Sequence, residues 1–70
     1  MDQTKPFAHL DNARGTIIRV ELKNSTSYEG KLESFDMHLN LVLSDAKLND
    51  ESESSKVLIR GDMIVAIREL

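Results

Sequence analysis

From Thr16 onward the apolar residues of this chain recur at every second position, and that period governs most of what it can fold into. Ile18, Val20 and Leu22 alternate with Arg19, Glu21 and Lys23, the pattern of a strand with one buried face. Asn24-Ser25 suits a hairpin turn, though less well than Asn-Gly would. Tyr28, Gly30 and Leu32 then alternate with Glu29, Lys31 and Glu33. A glycine inside a strand marks a sharp bend or a close backbone approach, and strongly bent strands are what a small barrel requires. Residues 39–46 read as a third strand, with Leu39, Leu41 and Leu43 on one face. A solvated stretch over 48–55 separates it from a fourth strand at 56–59. Arg60-Gly61-Asp62 reads as a tight turn and 63–67 as a fifth strand.

Before Thr16 the period is helical. Pro6 suits a first helical turn; Phe7, Leu10 and Ala13 share one face, and Gly15 is placed to end the helix. Residues 1–5 are polar and expected to be flexible. One helix at 6–14 followed by five short antiparallel strands predicts a mainly β single domain over 1–70, a strongly bent five-stranded small barrel.

A lone domain of this size buries only about 60% of its unfolded surface, so it needs a staple. The 70 residues include no cysteine. His9 and His38 have no companions at metal-ligand spacing, so neither a metal nor another cofactor is expected. Self-association remains. The last two strands support it, since Val57 and Ile59 point one way and Leu58 the other, while Ile64 and Ala66 oppose Met63, Val65 and Ile67. An antiparallel domain needs one apolar face per strand for its core; a second face and an open sheet edge call for another subunit. No apolar run approaches the roughly 18 residues of a membrane span, and no signal-peptide pattern is visible. The chain therefore reads as soluble and cytoplasmic, with no membrane partner.

The formal net charge is −3, an awkward value for a nucleic-acid binder. The excess is local. Residues 45–53 carry Asp45, Asp50, Glu51 and Glu53 against Lys47, and the rest of the chain is neutral.

Two segments stand outside the strand pattern: 35–40 (FDMHLN) and 59–62 (IRGD). Both are turns on a rigid scaffold, where binding residues tend to sit. Together they hold the parts of a nucleobase pocket. The imidazole of His38 and the guanidinium of Arg60 are flat and can stack on a base. The Asn40 amide carries a donor and an acceptor, matching the imide edge of uracil. Gly61 lets its own N–H approach a base carbonyl, and Asp62 is placed to orient the Asn40 amide from behind. Individually each residue also has an ordinary reading as a loop or turn residue.

These segments also carry a family resemblance. Gly15 to Lys23, then Tyr28-Glu29-Gly30-Lys31-Leu32 and FDMHLNLVLSDA (35–46), resemble the first motif of the Sm and Sm-like family, particularly its archaeal branch. VLIRGDMIVAI (57–67) resembles the second. The resemblance divides the chain into a first motif at 16–46, a variable acidic loop at 47–56 and a second motif at 57–67. It implies a helix-capped Sm barrel and a homo-oligomeric ring closed by pairing the fourth strand of one subunit with the fifth of the next. A heptamer is the family expectation, with hexamer and octamer as alternatives. It further implies uridine-rich single-stranded RNA held at the pore by His38, Asn40 and Arg60, with Gly61 and Asp62 in support and Asp36 bracing the loop. Lys5 and Phe35 are the nearest matches to a lateral RNA contact. The implied role is RNA metabolism or ribonucleoprotein assembly, with RNA-processing proteins as candidate partners. Ser25 stands where the family often has a glycine.

Other classes fit less well. Asp36 and His38 resemble an acid–base pair, with Asp62 as a third carboxylate, but no nucleophile lies beside a base and there is no glycine-rich phosphate loop, so no enzyme is expected. A protein-interaction scaffold with incidental RNA binding is the alternative. Arg60-Gly61-Asp62 as an adhesion tripeptide lacks any sign of secretion.

Overall fold

The computed structural model describes residues 6–49, 51 and 53–70; the stretch expected to be flexible, 1–5, lies outside them. A short helix, α1 (Pro6–Asn12), precedes β1 (Ile17–Leu22), β2 (Ser27–Phe35), β3 (Leu41–Leu48), β4 (Ser55–Ile59) and β5 (Ile64–Glu69). Every ladder is antiparallel. The strand order is β4-β3-β2-β1-β5, so β4 and β5 are the two edges of the sheet.

The helix stops two residues short of the expected 6–14. Ala13 N–H bonds to Leu10 O and Arg14 N–H to Asp11 O, a tightened i→i+3 ending that satisfies the last carbonyls. Leu10 and Ala13 enter the core. Phe7 is half exposed and stacks instead on Phe35, with ring centroids 5.9 Å apart and planes 20° apart.

The core is one cluster of Leu10, Ala13, Ile18, Val20, Leu32, Leu41, Leu43, Ala46 and Ile59. β1 and β2 keep the alternation read from the sequence: Ile18, Val20 and Leu32 are fully buried, and Gly30 is buried between them and β3. Three bulges then break the period, each adding one residue to one strand and bending it. In β3, Lys31 faces Ser44 but Glu29 faces Lys47; Asp45 sits in the bulge at φ 51, and the next buried residue is Ala46. In β2, Glu33 is the extra residue between the Leu32–Leu43 and Ser34–Val42 pairs. In β5, Val65 is extra between the Glu21–Ala66 and Leu22–Ile64 pairs. The last bulge corrects the expected facing, because Ile64 and Ile67 both pack on the core instead of opposing each other.

Other boundaries also shift. The third strand starts at Leu41 rather than 39, because Leu39 adopts φ 62 and leaves the strand. β3 runs on to Leu48 and β4 begins at Ser55, which shortens the expected acidic loop of 47–56 to a connection over 49–54. The fifth strand begins at Ile64 rather than 63, since Gly61–Met63 is a 3-10 turn. At the first hairpin Ser25 takes φ 66, and Asn24 Oδ1 braces the turn by accepting the Thr26 N–H at 3.2 Å.

Gly30 faces the β3 bulge. A Cβ there would lie 2.8 Å from Ala46 Cα and 3.0 Å from Ser44 O. Both are backbone atoms that cannot swing aside, so the bend between β2 and β3 depends on a bare backbone at residue 30. Gly30→Ala is expected to destabilise the fold by about 1–3 kcal/mol through overpacking, read as a lower urea midpoint at fixed protein concentration. An unchanged midpoint would contradict the close approach.

Candidate nucleic-acid interface

The register of β3 on β4 creates the site. Leu41 pairs with Ile59, so the residues just outside that pair, Asn40 and Arg60, come side by side. The two segments singled out in the sequence are thereby joined at one end of the β3–β4 ladder.

Asp36 organises the first segment. Its Oδ1 accepts the N–H of His38 at 2.9 Å and that of Asn40 at 3.0 Å, and its Oδ2 accepts Asn40 Nδ2 at 3.0 Å. The Asp36 carbonyl accepts Leu39 N–H at 3.0 Å, and Asp36 N–H donates to Asn40 O at 3.2 Å. A short acidic side chain bonding the backbone two residues on is an Asx turn, and here it extends to a five-residue loop. The amide of the Asn40 side chain, followed by its backbone N–H, holds the Asp36 carboxyl below the usual carboxylate range against a weaker opposing effect of desolvation.

The second segment closes on the first. Gly61 N–H donates to Asn40 Oδ1 at 2.9 Å. A Cβ at residue 61 would stand 2.0 Å from His38 O and 2.9 Å from Leu39 O, so no side chain fits between the loops. Arg60 Nη2 donates to Asp62 Oδ2 at 2.9 Å, an exposed pair.

Two expected roles change. Asp62 does not hold Asn40; it holds Arg60, while Asp36 takes Asn40. The Gly61 N–H does not point at a ligand; it is already bonded to Asn40. The Asn40 amide is thus gripped from both ends, with one donor hydrogen and one acceptor lone pair left over. The sequence carried a signal for the Asp36 role in the spacing of Asp36 to His38, which fits an Asx turn.

His38, Asn40, Arg60, Gly61 and Asp62 line one shallow, open depression of about 460 Å³, within the range of small-ligand sites. Of the residues expected to make a lateral contact, Phe35 is stacked on Phe7 and Lys5 lies outside the described residues. A second depression, of about 450 Å³, runs between α1 and the end of β5. It is mainly apolar, lined by Pro6, Leu10, Ala13, Leu39 and Ile67, with His9 meeting the Glu69 carboxylate beside it. It offers no set of polar groups like that around Asn40.

The Asp36 bonds fix a pH dependence. A carboxyl held below its ordinary range stabilises the loop fully above the unfolded value and loses that contribution as pH falls through the lowered folded value. Amide resonances of His38 and Asn40 are therefore expected to hold steady at neutral pH and to move together only on acidification below the usual carboxylate range. Asp36→Asn should give the displaced shifts at neutral pH. Titration of these amides at the ordinary carboxylate value would contradict the bonding.

Comparison with known proteins agrees with this architecture. The LSM domain family profile matches residues 8–69. An Sm-like protein of Thermococcus sibiricus is 44% identical over 67 residues, covering 90% of this chain and 88% of its own. The Pyrococcus abyssi Sm protein, solved in complex with a uridine heptamer, superposes with a TM-score of 0.87 at 30% identity, covering 94% of this chain and 99% of its own. A heptameric archaeal Sm protein superposes with a TM-score of 0.84 at 30% identity, covering 90% and 97%. With the profile spanning nearly its whole length and the bent five-stranded sheet reproduced, this chain belongs to the Sm-like family and has the Sm fold.

Proposed function

We propose that this chain assembles into a homo-oligomeric ring that binds uridine-rich single-stranded RNA through the depression formed by His38, Asn40 and Arg60. The observation that carries the reading is the Asn40 amide, fixed by Asp36 on one side and Gly61 on the other. Its remaining donor and acceptor suit the imide edge of uracil, while the flat groups of His38 and Arg60 supply stacking faces. Asp62 orients Arg60 and Gly61 orients Asn40; neither needs to touch the base. The complex of a structural neighbour with a uridine heptamer supports the same ligand class. Ribonucleoprotein assembly or RNA metabolism is the setting in which such a module acts.

The ring rests on the two sheet edges. Leu58 on β4 is 68% exposed and Val65 on β5 is 65% exposed, and unpaired edges with apolar side chains favour pairing with another copy. The apolar groove beside β5 extends that surface. A heptamer, the state of a solved neighbour, is the expected size, and a native mass spectrum should give seven subunits. A stable monomer at micromolar concentration would overturn the ring.

The pocket has its own test. His38→Ala or Arg60→Ala should leave the ring intact by light scattering and weaken oligouridine binding about tenfold or more, since a lost stacking face is worth roughly 1–3 kcal/mol per base. Binding should also fall only modestly with salt, because base contacts outweigh phosphate neutralisation. Unchanged affinity in both variants would refute the pocket. Equal binding of uridine, cytidine and adenosine oligomers would favour a protein-interaction scaffold instead.

A further inference from the structure

The acids of this chain divide into two groups. Asp11, Glu21, Glu29, Asp62 and Glu69 each meet an arginine or histidine side chain, and Glu33 and Asp36 accept hydrogen bonds. Asp45, Glu51 and Glu53 are exposed, and their carboxylates have no ion pair or hydrogen bond among the described residues. The nearest lysines in the sequence do not neutralise them. Lys56 lies close enough to Glu33 to attract it, and Lys47 stands opposite Glu29 in the β2–β3 ladder. Glu51 and Glu53 instead rim a groove of about 270 Å³ whose floor is apolar, formed by Tyr28, Ala46, Leu48 and Val57. Tyr28 and Val57 pack on the core with one side and are only partly covered on the other, and Leu48 is half-buried. The groove lies at the far end of β3 from Asn40, and none of its residues belongs to the base pocket.

We infer that this groove is a docking site for a basic, partly apolar segment of a partner protein, with a leucine-like side chain on Tyr28, Leu48 and Val57 and a lysine or arginine on Glu51 and Glu53. Charge complementarity selects the occupant. A nucleic acid or an anionic membrane surface is repelled by two unneutralised carboxylates. A purely apolar ligand would strip water from those carboxylates and give nothing in return. A bare polyamine or lysine run would satisfy the rim and leave the floor wet. A segment that alternates apolar and basic residues satisfies both. An exposed ion pair contributes little alone, so the floor supplies most of the affinity and the rim supplies direction and selectivity. The inference does not depend on the RNA reading; in a ring the groove would recur in every subunit, at the opposite end of the sheet from the bases.

The test titrates the full chain with a short synthetic peptide alternating lysine with leucine and serine, followed by backbone amide resonances. The amides of Leu48 and Val57 should shift on addition of peptide, and those of His38 and Asn40 should not. Glu51→Gln combined with Glu53→Gln should weaken peptide binding roughly fivefold and leave oligouridine affinity within about twofold. Leu48→Ser should weaken peptide binding about tenfold through the lost apolar contact, with the amides of Ile18 and Leu32 unmoved. Should Leu48→Ser disturb those core amides, a peptide with serine in place of leucine removes the same contact from the other side and should bind about tenfold more weakly. Failure of the leucine-containing peptide to bind, or unchanged affinity in the double glutamine variant, would overturn the proposal. Equal binding of the lysine–serine peptide or of spermine would also overturn it, by reducing the groove to a diffuse attraction for cations. So would shifts confined to His38 and Asn40, which would place the peptide at the other end of the sheet.

Discussion

The pocket depends on how closely two stretches of backbone cross at Gly61. The His38 carbonyl occupies the volume that any side chain at residue 61 would need, and only at that separation can Gly61 N–H reach Asn40 Oδ1. The rest follows from this contact. Asn40 is fixed because its oxygen is held by Gly61 and its nitrogen by Asp36. His38 is placed because its own N–H is tied to the same carboxylate. Arg60 lies within reach because it directly precedes the glycine. The Asp36 bonds are exposed, and bonds that trade evenly with water add little to global stability. Their worth is geometric: they set donor and acceptor directions before a ligand arrives, which lowers the ordering cost of binding.

The sheet delivers the two loops to that crossing. Antiparallel pairing of Leu41 with Ile59 puts the start of β3 beside the end of β4, and the bulges decide how the sheet curves on the way there. Asp45 and Gly30 act as a pair, the extra residue bending β3 and the bare backbone letting β2 close on Ala46. Asp45, Ser25, Leu39 and Asn49 all have positive φ without being glycine. Asp and Asn tolerate that region through local hydrogen bonding. Leu39 sits in the turn that its own N–H closes on the Asp36 carbonyl.

Much of this was legible in the residues. Alternation in β1 and β2 is clean because each strand runs unbroken through its buried pairs, so Ile18, Val20 and Leu32 are identified correctly. The same reasoning fails where a bulge inserts one residue, because a single insertion reverses every later side chain. Hence Ile64 and Ile67 were assigned to opposite faces; Leu39 was read into a strand for a different reason, since its spacing continues that of Leu41 and Leu43 while its φ of 62 puts it in the preceding turn. The five pocket residues were found together, since flat, amide and glycine chemistry clustered in two turns. The partners were read in part: the family resemblance assigned Asp36 to brace the loop, and its bonds run to His38 and Asn40, whereas Asp62 was set behind Asn40 and its bond runs to Arg60. Turn chemistry alone favoured Asp36, as an Asx turn is local and needs no tertiary contact.

The formal charge, which argues against RNA from composition, loses its force once placed on the fold. Among the described residues of the acidic stretch at 45–53, Asp45 lies in the β3 bulge and Glu51 and Glu53 in the connection after β3, whereas the pocket sits at the opposite end of the β3–β4 ladder, at Leu41 and Ile59. β3 has eight residues, and at about 3.3 Å per residue it separates the two ends by about 20 Å. That is more than twice the Debye length of about 8 Å at physiological salt, so the acidic end exerts little field at the pocket. Around the pocket itself, Asp62 is paired with Arg60, and Asp36 is engaged by amide hydrogens. On the proposed reading a single such pocket would offer one stacked base and one hydrogen-bonded edge, which is weak. In the proposed ring the same pocket recurs in every subunit, and each bound nucleotide holds its neighbour at high effective concentration. On that proposal repetition would supply the affinity that a basic face otherwise provides, and base identity, rather than phosphate charge, would be the main determinant of binding.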